Sequence, residues 1–222
     1  MVRIAALVPM RHHSQRVPEK NFRDLGGKPL YHHILSTLTQ VPEIEGIYVD
    51  TDSLIITAGL RKDFPDIQVI DRPDHLAADE TSMNSIIAHD LSIVEADYYL
   101  QTHTTNPLLN ANTISRAINV FLDNIKEFDS LFSVTRLQTR LYDSEGNAIN
   151  HNPAELIQTQ DLPPLFEENS CLYLFSKNSL EKNGHRIGNS PYLFEIDSAE
   201  AWDIDTLIDF NIVEYLMNNT GE

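Results

Sequence analysis

Short apolar runs and amphipathic stretches alternate along the first two-thirds of this chain, and that alternation narrows its fold more than any other feature. RIAALVP (3–9) is apolar, bounded by a proline and too short for a helix, so it reads as a buried strand. GIYVDTD (46–52), IQVIDRP (67–73), ADYYLQTH (96–103) and SLFSVTR (130–136) repeat the pattern. Between them, Leu30, Ile34, Leu35 and Leu38 recur at helical spacing, after a Gly26-Gly27 break and with Pro29 suited to a first helical position. Ser53 is placed to cap a helix over 53–64, Ser82 or Asn84 opens one ending at Val94, and Asn112 or Thr113 caps another. Strands and helices in this order predict a parallel α/β sheet with helices on both faces. Ligands of such sheets bind beyond the carboxyl ends of the strands. The loop 10–24, the tip Thr51-Asp52, Arg72 and the segment from His103 to Asn106 should therefore meet on one rim.

Past residue 137 the alternation stops. Residues 141–153 carry a Glu-Gly-Asn turn between short extended pieces, a hairpin signal, and 159–169 is punctuated by prolines. SCLYLFS reads as another strand, and a polar-tipped strand then runs into a final amphipathic helix. With 222 residues, the chain is expected to form a single domain over 1–222, with 137–168 as an insertion suited to a subunit interface. Cys171 is the only cysteine, and no apolar run reaches a spanning length, which together suggest a cytoplasmic protein away from membranes.

The formal net charge of −17 argues against nucleic acid as a partner. Its distribution is uneven. Residues 1–28 carry a net +4, leaving −21 on the remainder. Arg11, Arg16 and Lys20 fall in the loop after the first strand, where an α/β sheet would receive phosphates, and arginine offers phosphate a bidentate fork. The competing explanation is a solvated loop balancing acidic neighbours. Walker and GxGxxG glycine loops and Cys/His metal spacings are absent, and the adjacent pairs His12-His13 and His32-His33 point apart in regular structure. Asp203 and Asp205 alternate about Ile204, so both face one side of an extended segment and form a hard oxygen pair suited to Mg²⁺. Alternatively, Asp205 or Thr206 caps the last helix with Asp209 in its first turn, although capping gives Asp203 no task.

These blocks resemble the acylneuraminate (CMP-sialic acid) cytidylyltransferase family. RHHSQRVPEKN is similar to the signature R-x-x-S-x-R-[IVL]-P-x-K-N, and GGKPL to the G-K-P-L that follows it. RPDHLAADETS, THTTNPLL, QDLPPLFEENSCLYLF and AWDIDTLIDF resemble further family blocks in the family's order, over nearly the whole chain. The resemblance implies a Rossmann-like, glycosyltransferase-A-like nucleotide-binding fold with a small dimerisation insertion, and a homodimer. It implies transfer of CMP from CTP to the anomeric hydroxyl of a sialic-acid-like 2-keto sugar acid, with Mg²⁺ as cofactor. Arg11 and Lys20 would hold the triphosphate, with Ser14, Arg16 and Asn21 completing the loop. Arg72, Thr81 and Ser82 would recognise cytidine. Gln101, His103 and Asn169 fall to the sugar, Asp203 and Asp205 to the metal, and Arg11, Lys20 and Asp205 to catalysis.

The chain departs from the pattern at His12-His13, where many relatives have glycines, at His103 in place of a glutamine, at Met83, and at Ser170 in place of glycine. The acceptor is therefore open among sialic, 3-deoxy-octulosonic, legionaminic and pseudaminic acids. A nucleotide-binding protein without turnover is the alternative of a different class; it would need neither the Arg11/Lys20 pair nor the Asp203/Asp205 pair.

Overall fold

The computed structural model describes residues 2–219, and the alternating runs form in it as expected. In chain order the elements are β1 (Ile4–Leu7), a small antiparallel pair β2 (Asp24–Leu25) and β3 (Lys28–Pro29), α1 (Leu30–Leu38), β4 (Gly46–Thr51), α2 (Leu54–Asp63) and β5 (Gln68–Asp71). Then follow α3 (Met83–Ile93), β6 (Tyr98–Thr102), α4 (Ala111–Asp123), β7 (Ser130–Leu137), β8 (Leu165–Phe175), α5 (Lys177–Asn183), β9 (Pro191–Glu195) and α6 (Leu207–Asn219). Seven strands make one sheet in the order β5-β4-β1-β6-β8-β7-β9. The sheet is mostly parallel: β8 alone runs against its neighbours, pairing antiparallel with both β6 and β7.

The period-two pattern of β1 explains the layers. Ile4 and Ala6 pack to one face with residues of α1, α2 and α4, such as Ile34, Leu60 and Ile118. Ala5 and Leu7 pack to the other, with Ile87 and Leu91 of α3 and Leu180 of α5. A third cluster lies at the carboxyl edge. There Val17 of the loop after β1, Leu25, Leu30, Ile204, Phe210 and Val213 pack together. Val17 and Ile204 are fully buried, so one small core fixes the basic loop against the segment that carries Asp203 and Asp205.

Four details differ from the sequence reading. Asn110, not Asn112 or Thr113, caps α4, its side chain accepting from Thr113 N at 2.9 Å. Residues 202–205 form no strand; the segment is held by Ile204 N donating to Thr105 O at 2.8 Å. β8 begins at Leu165, earlier than the SCLYLFS run, because it pairs with residues 134–137 beyond a bulge of its own at 169–172. The hairpin expected over 141–153 shrinks to a single bridge, Tyr142 to Ala148. The excursion between β7 and β8 is braced by Asn150, which bonds Thr139 O at 2.7 Å and Leu141 N at 3.0 Å. Among the described residues no helix is long and apolar enough to cross a membrane.

Candidate active site

The basic loop leaves β1 and is pinned at several points. Met10 N donates to Asp50 O at 2.9 Å, and His12 N to Asp52 Oδ1 at 2.6 Å. The His12 ring bonds Ser53 Oγ, at 2.7 Å, the same hydroxyl that caps α2. His12 therefore ties the loop to the start of α2, a bracing role that glycine does not supply. His13 packs edge-on against it and lines the cleft. Asn21 is buried: its amide donates to Arg11 O at 2.7 Å and its oxygen accepts from Thr104 Oγ1 at 2.6 Å. Anchored in this way, the loop presents Arg11, Ser14, Arg16 and Lys20 to a cleft of about 340 Å³, which Asn21, Arg72, Thr81 and His103 also line. Ser82 is not among the residues lining it, and its hydroxyl is committed to capping α3.

Asp203 and Asp205 are brought to the loop by buried Ile204. Lys20 Nζ donates to Ile204 O at 2.7 Å and to Asp205 Oδ1 at 3.3 Å, and Arg16 donates to Asp205 Oδ2 at 2.5 Å. The final helix is capped by a different pair. Asp209 accepts from the backbone of Thr206 at 2.6 Å, and Thr206 Oγ1 accepts from Asp209 N at 3.4 Å, a reciprocal box. Neither Asp203 nor Asp205 is needed for that cap. Desolvation raises the Asp203 carboxyl above its ordinary range, opposed by a hydrogen bond from Thr105 and reinforced by the Asp205 charge. Two adjacent carboxylates, one of them disfavoured as an anion, fit a divalent cation with hard oxygen preference.

The loop cations are not idle in the free protein. Arg11 pairs with Asp79, whose other oxygen accepts from Gln15 at 2.7 Å, while Arg16 and Lys20 share Asp205. An incoming polyanion must take these cations from their carboxylates or be bridged to them. Asp79 was not singled out in the sequence, where it is one aspartate among many.

Behind the cleft, Arg72 is held by Asp50 through its Nε and through Asp50 O at 3.2 Å. Asp50, His89 and Asp90 place ligand-type atoms within 4.8 Å of one another. Arg72 already offsets one of those charges, and a proton offsets the other. Burial, then the Asp50 charge and a hydrogen bond to Asp50, push the Asp90 carboxyl up to about 9. Asp90 thus keeps its proton more tightly folded than unfolded, and stability should fall as pH rises from the usual carboxylate range through about 9. Asp90→Asn keeps a donor for Asp50 without the titration. It should be neutral to stability at pH 4 and stabilising by on the order of 1–3 kcal/mol at pH 8. Thermal melts across pH test this; a destabilised variant at pH 8 would contradict the shared proton.

The residues expected to meet the sugar divide between two surfaces. Arg186 NH1 donates to Gln101 Oε1 at 2.7 Å, so the Gln101 amide nitrogen is the donor toward His103 Nε2 at 3.0 Å. Burial, then the Arg186 and Lys20 cations, hold His103 down to about 3. The ring is neutral, with its proton on Nδ1. Asn169 instead braces the bulge in β8 against β7. Its Oδ1 accepts from Ser133 Oγ at 2.6 Å, and its Nδ2 donates to Thr135 at 2.9 Å. It borders a second cavity of about 500 Å³, lined also by Glu168, Ser170, Trp202, Asp203 and Asp209. Ser170, in the pattern's glycine position, keeps a left-handed φ of 60°. Arg186 escaped the sequence reading because nothing local marks an arginine in an irregular segment.

A family model described as Cytidylyltransferase matches residues 5–219. The N-acylneuraminate cytidylyltransferase of Streptococcus agalactiae is 26% identical over 92% of this chain. The chain spans about half of that relative's length, the match covering 51% of it. The CMP-N,N'-diacetyllegionaminic acid synthase of Legionella pneumophila is 29% identical, with 100% of this chain and 99% of the relative covered. Among solved structures, a CMP:2-keto-3-deoxy-manno-octonic acid synthetase complexed with CTP has the same fold. It has a TM-score of 0.72 at 16% identity, and the match covers 98% of this chain and 99% of that one.

Proposed function

Because the chain belongs to the cytidylyltransferase family, we propose that it transfers CMP from CTP to the anomeric hydroxyl of a sialic-acid-like 2-keto sugar acid. The hydroxyl oxygen forms a bond to the α-phosphorus, the bond from that phosphorus to the α,β-bridging oxygen breaks, and pyrophosphate leaves. The observation that carries the reading is the meeting of the Arg11/Arg16/Lys20 loop with Asp203 and Asp205 across one small core. Phosphoryl transfer needs little covalent help from a protein; it needs positioning and charge neutralisation, and this arrangement offers both.

In this reading Arg11, Arg16 and Lys20 take the triphosphate oxygens, with Ser14 alongside and Asn21 holding the loop in shape. Arg72 and Thr81 border the cytidine, and Ser82 fixes that edge through the start of α3. Gln101 and His103 face the acceptor from one side and Asn169 from the other. Asp203 and Asp205 would hold Mg²⁺, which when bound draws charge from the α-phosphate and lowers the pKa of the attacking hydroxyl.

The same proposal takes the protein as a cytoplasmic homodimer joined through the excursion between β7 and β8. Exposed Tyr142, Ile149 and Leu156 on that excursion, the last 90% accessible, support this use of it. The test is pyrophosphate release from CTP and Mg²⁺ across a panel of sialic, legionaminic, pseudaminic and 3-deoxy-octulosonic acids. Release that depends on one of the nine-carbon acids is expected. Release with the eight-carbon acid alone would move the acceptor assignment, and release with none would remove it.

A further inference from the structure

Four cations line the cleft beside the basic loop, and each has a carboxylate within ion-pair distance: Asp79 for Arg11, Asp205 for Arg16 and Lys20, Asp50 for Arg72. Arg186 is linked to this cleft through Gln101 and His103, and among the described residues no carboxylate pairs with it. It is nonetheless held firmly. NH1 donates to Gln101 Oε1 at 2.7 Å, and the guanidinium lies 3.8 Å from the centroid of the Tyr173 ring. The hydroxyl of that ring bonds Glu168 and Ser170, which line the second cavity. Through Gln101 the guanidinium adjoins His103, which lines the first. Arg186 is thus one contact removed from each cavity, through Gln101 and His103 on one side and Tyr173 on the other.

A guanidinium has five N–H donors, and among the described residues one of these is engaged. The second cavity is otherwise acidic, with Glu167, Glu168, Asp203 and Asp209 on its walls. An anionic acceptor entering there meets four carboxylates, and Arg186, behind Tyr173, is the nearby cation without a counter-charge among the described residues. A positive group fixed by a hydrogen bond and an aromatic face, yet left without its counter-charge, is suited to a partner that arrives with the ligand.

We infer that Arg186 receives the carboxylate of the sugar acid and so determines that the acceptor is an acid. This rests on the acceptor class proposed above. In a 2-keto acid the carboxyl carbon is bonded to the anomeric carbon, so gripping the carboxylate also positions the attacking hydroxyl. A purely structural part, in which Arg186 only orients Gln101 and His103, predicts different kinetics.

Steady-state constants for wild type, Arg186→Ala and Arg186→Lys, with the preferred acid and its primary carboxamide, separate the two. Loss of a charged hydrogen-bonding partner should raise the acceptor KM of Arg186→Ala by roughly 10–100-fold, with the CTP KM within about twofold. Arg186→Lys should fall between. Wild type should prefer acid to carboxamide by a similar factor, and Arg186→Ala should not distinguish them. An alanine variant that still prefers the acid, or whose CTP KM and Tm shift together with the acceptor KM, overturns this inference and leaves the proposed reaction standing. A wild-type enzyme inactive with every acid overturns the proposed reaction, and the inference falls with it.

Discussion

Asp205→Asn is expected to lower kcat by at least ~100-fold while leaving the KM for CTP nearly unchanged, because in the proposed reaction Asp205 would ligate the metal directly, and losing even the outer partners of metal ligands costs about that much. The asymmetry follows from the geometry. Asp205 accepts from Arg16 at 2.5 Å and from Lys20 at 3.3 Å. Removing its charge frees both cations for the triphosphate, so ground-state binding is not weakened even as the reaction is. The fold should tolerate the change. The cap of α6 is made by Thr206 and Asp209, and the Arg16–Asp205 pair is exposed enough to contribute ~1 kcal/mol or less. Turnover and a thermal melt together check this. A variant as active as wild type would remove Asp205 from the chemistry, and one that is unfolded would give it a structural task instead.

Lys20→Ala should behave differently, with the KM for CTP rising and kcat falling together, for a loss of about 10²–10³-fold in kcat/KM. Lys20 is largely buried, its side chain 11% exposed, and its Nζ donates both to Asp205 and to Ile204 O. The substitution therefore takes a charge from the triphosphate and also loosens the segment that presents Asp203 and Asp205. Arg16→Ala, which removes a side chain 65% exposed, should cost less. Kinetics on the two variants give the comparison. Equal losses in the two would mean that Lys20 acts only as one more surface charge.

Much of this was readable in the chain because it rests on local rules. The buried strands announce themselves as bounded apolar runs, Ser53 and Ser82 as caps, and Asp203-Ile204-Asp205 as an alternating triplet whose middle residue is buried. The rim on which the basic loop and Arg72 meet follows from the rule for parallel sheets. What was not legible depends on distance across the fold. The Asp79 partner of Arg11 lies 68 residues away, and the Gln101 partner of Arg186 lies 85 away. The proton that Asp90 shares with Asp50 needs two helix-and-strand positions to be buried face to face. His12 was unexplained in the sequence because its task, joining the loop to Ser53, exists only once β1 and α2 are side by side. The extended carboxylate segment was mistaken for a strand because alternation alone does not reveal whether a neighbouring strand is there to pair with it.

In the proposed reaction the basic loop and the two carboxylates form one site for cytidylyl transfer. CTP labelled at the α-phosphorus, incubated with the protein, Mg²⁺ and a nine-carbon 2-keto sugar acid, tests it most directly. The label is expected in a CMP–sugar acid conjugate, with none in the pyrophosphate released. Label that stays in CTP, or emerges only as free CMP with no conjugate for any acid in the panel, would contradict it.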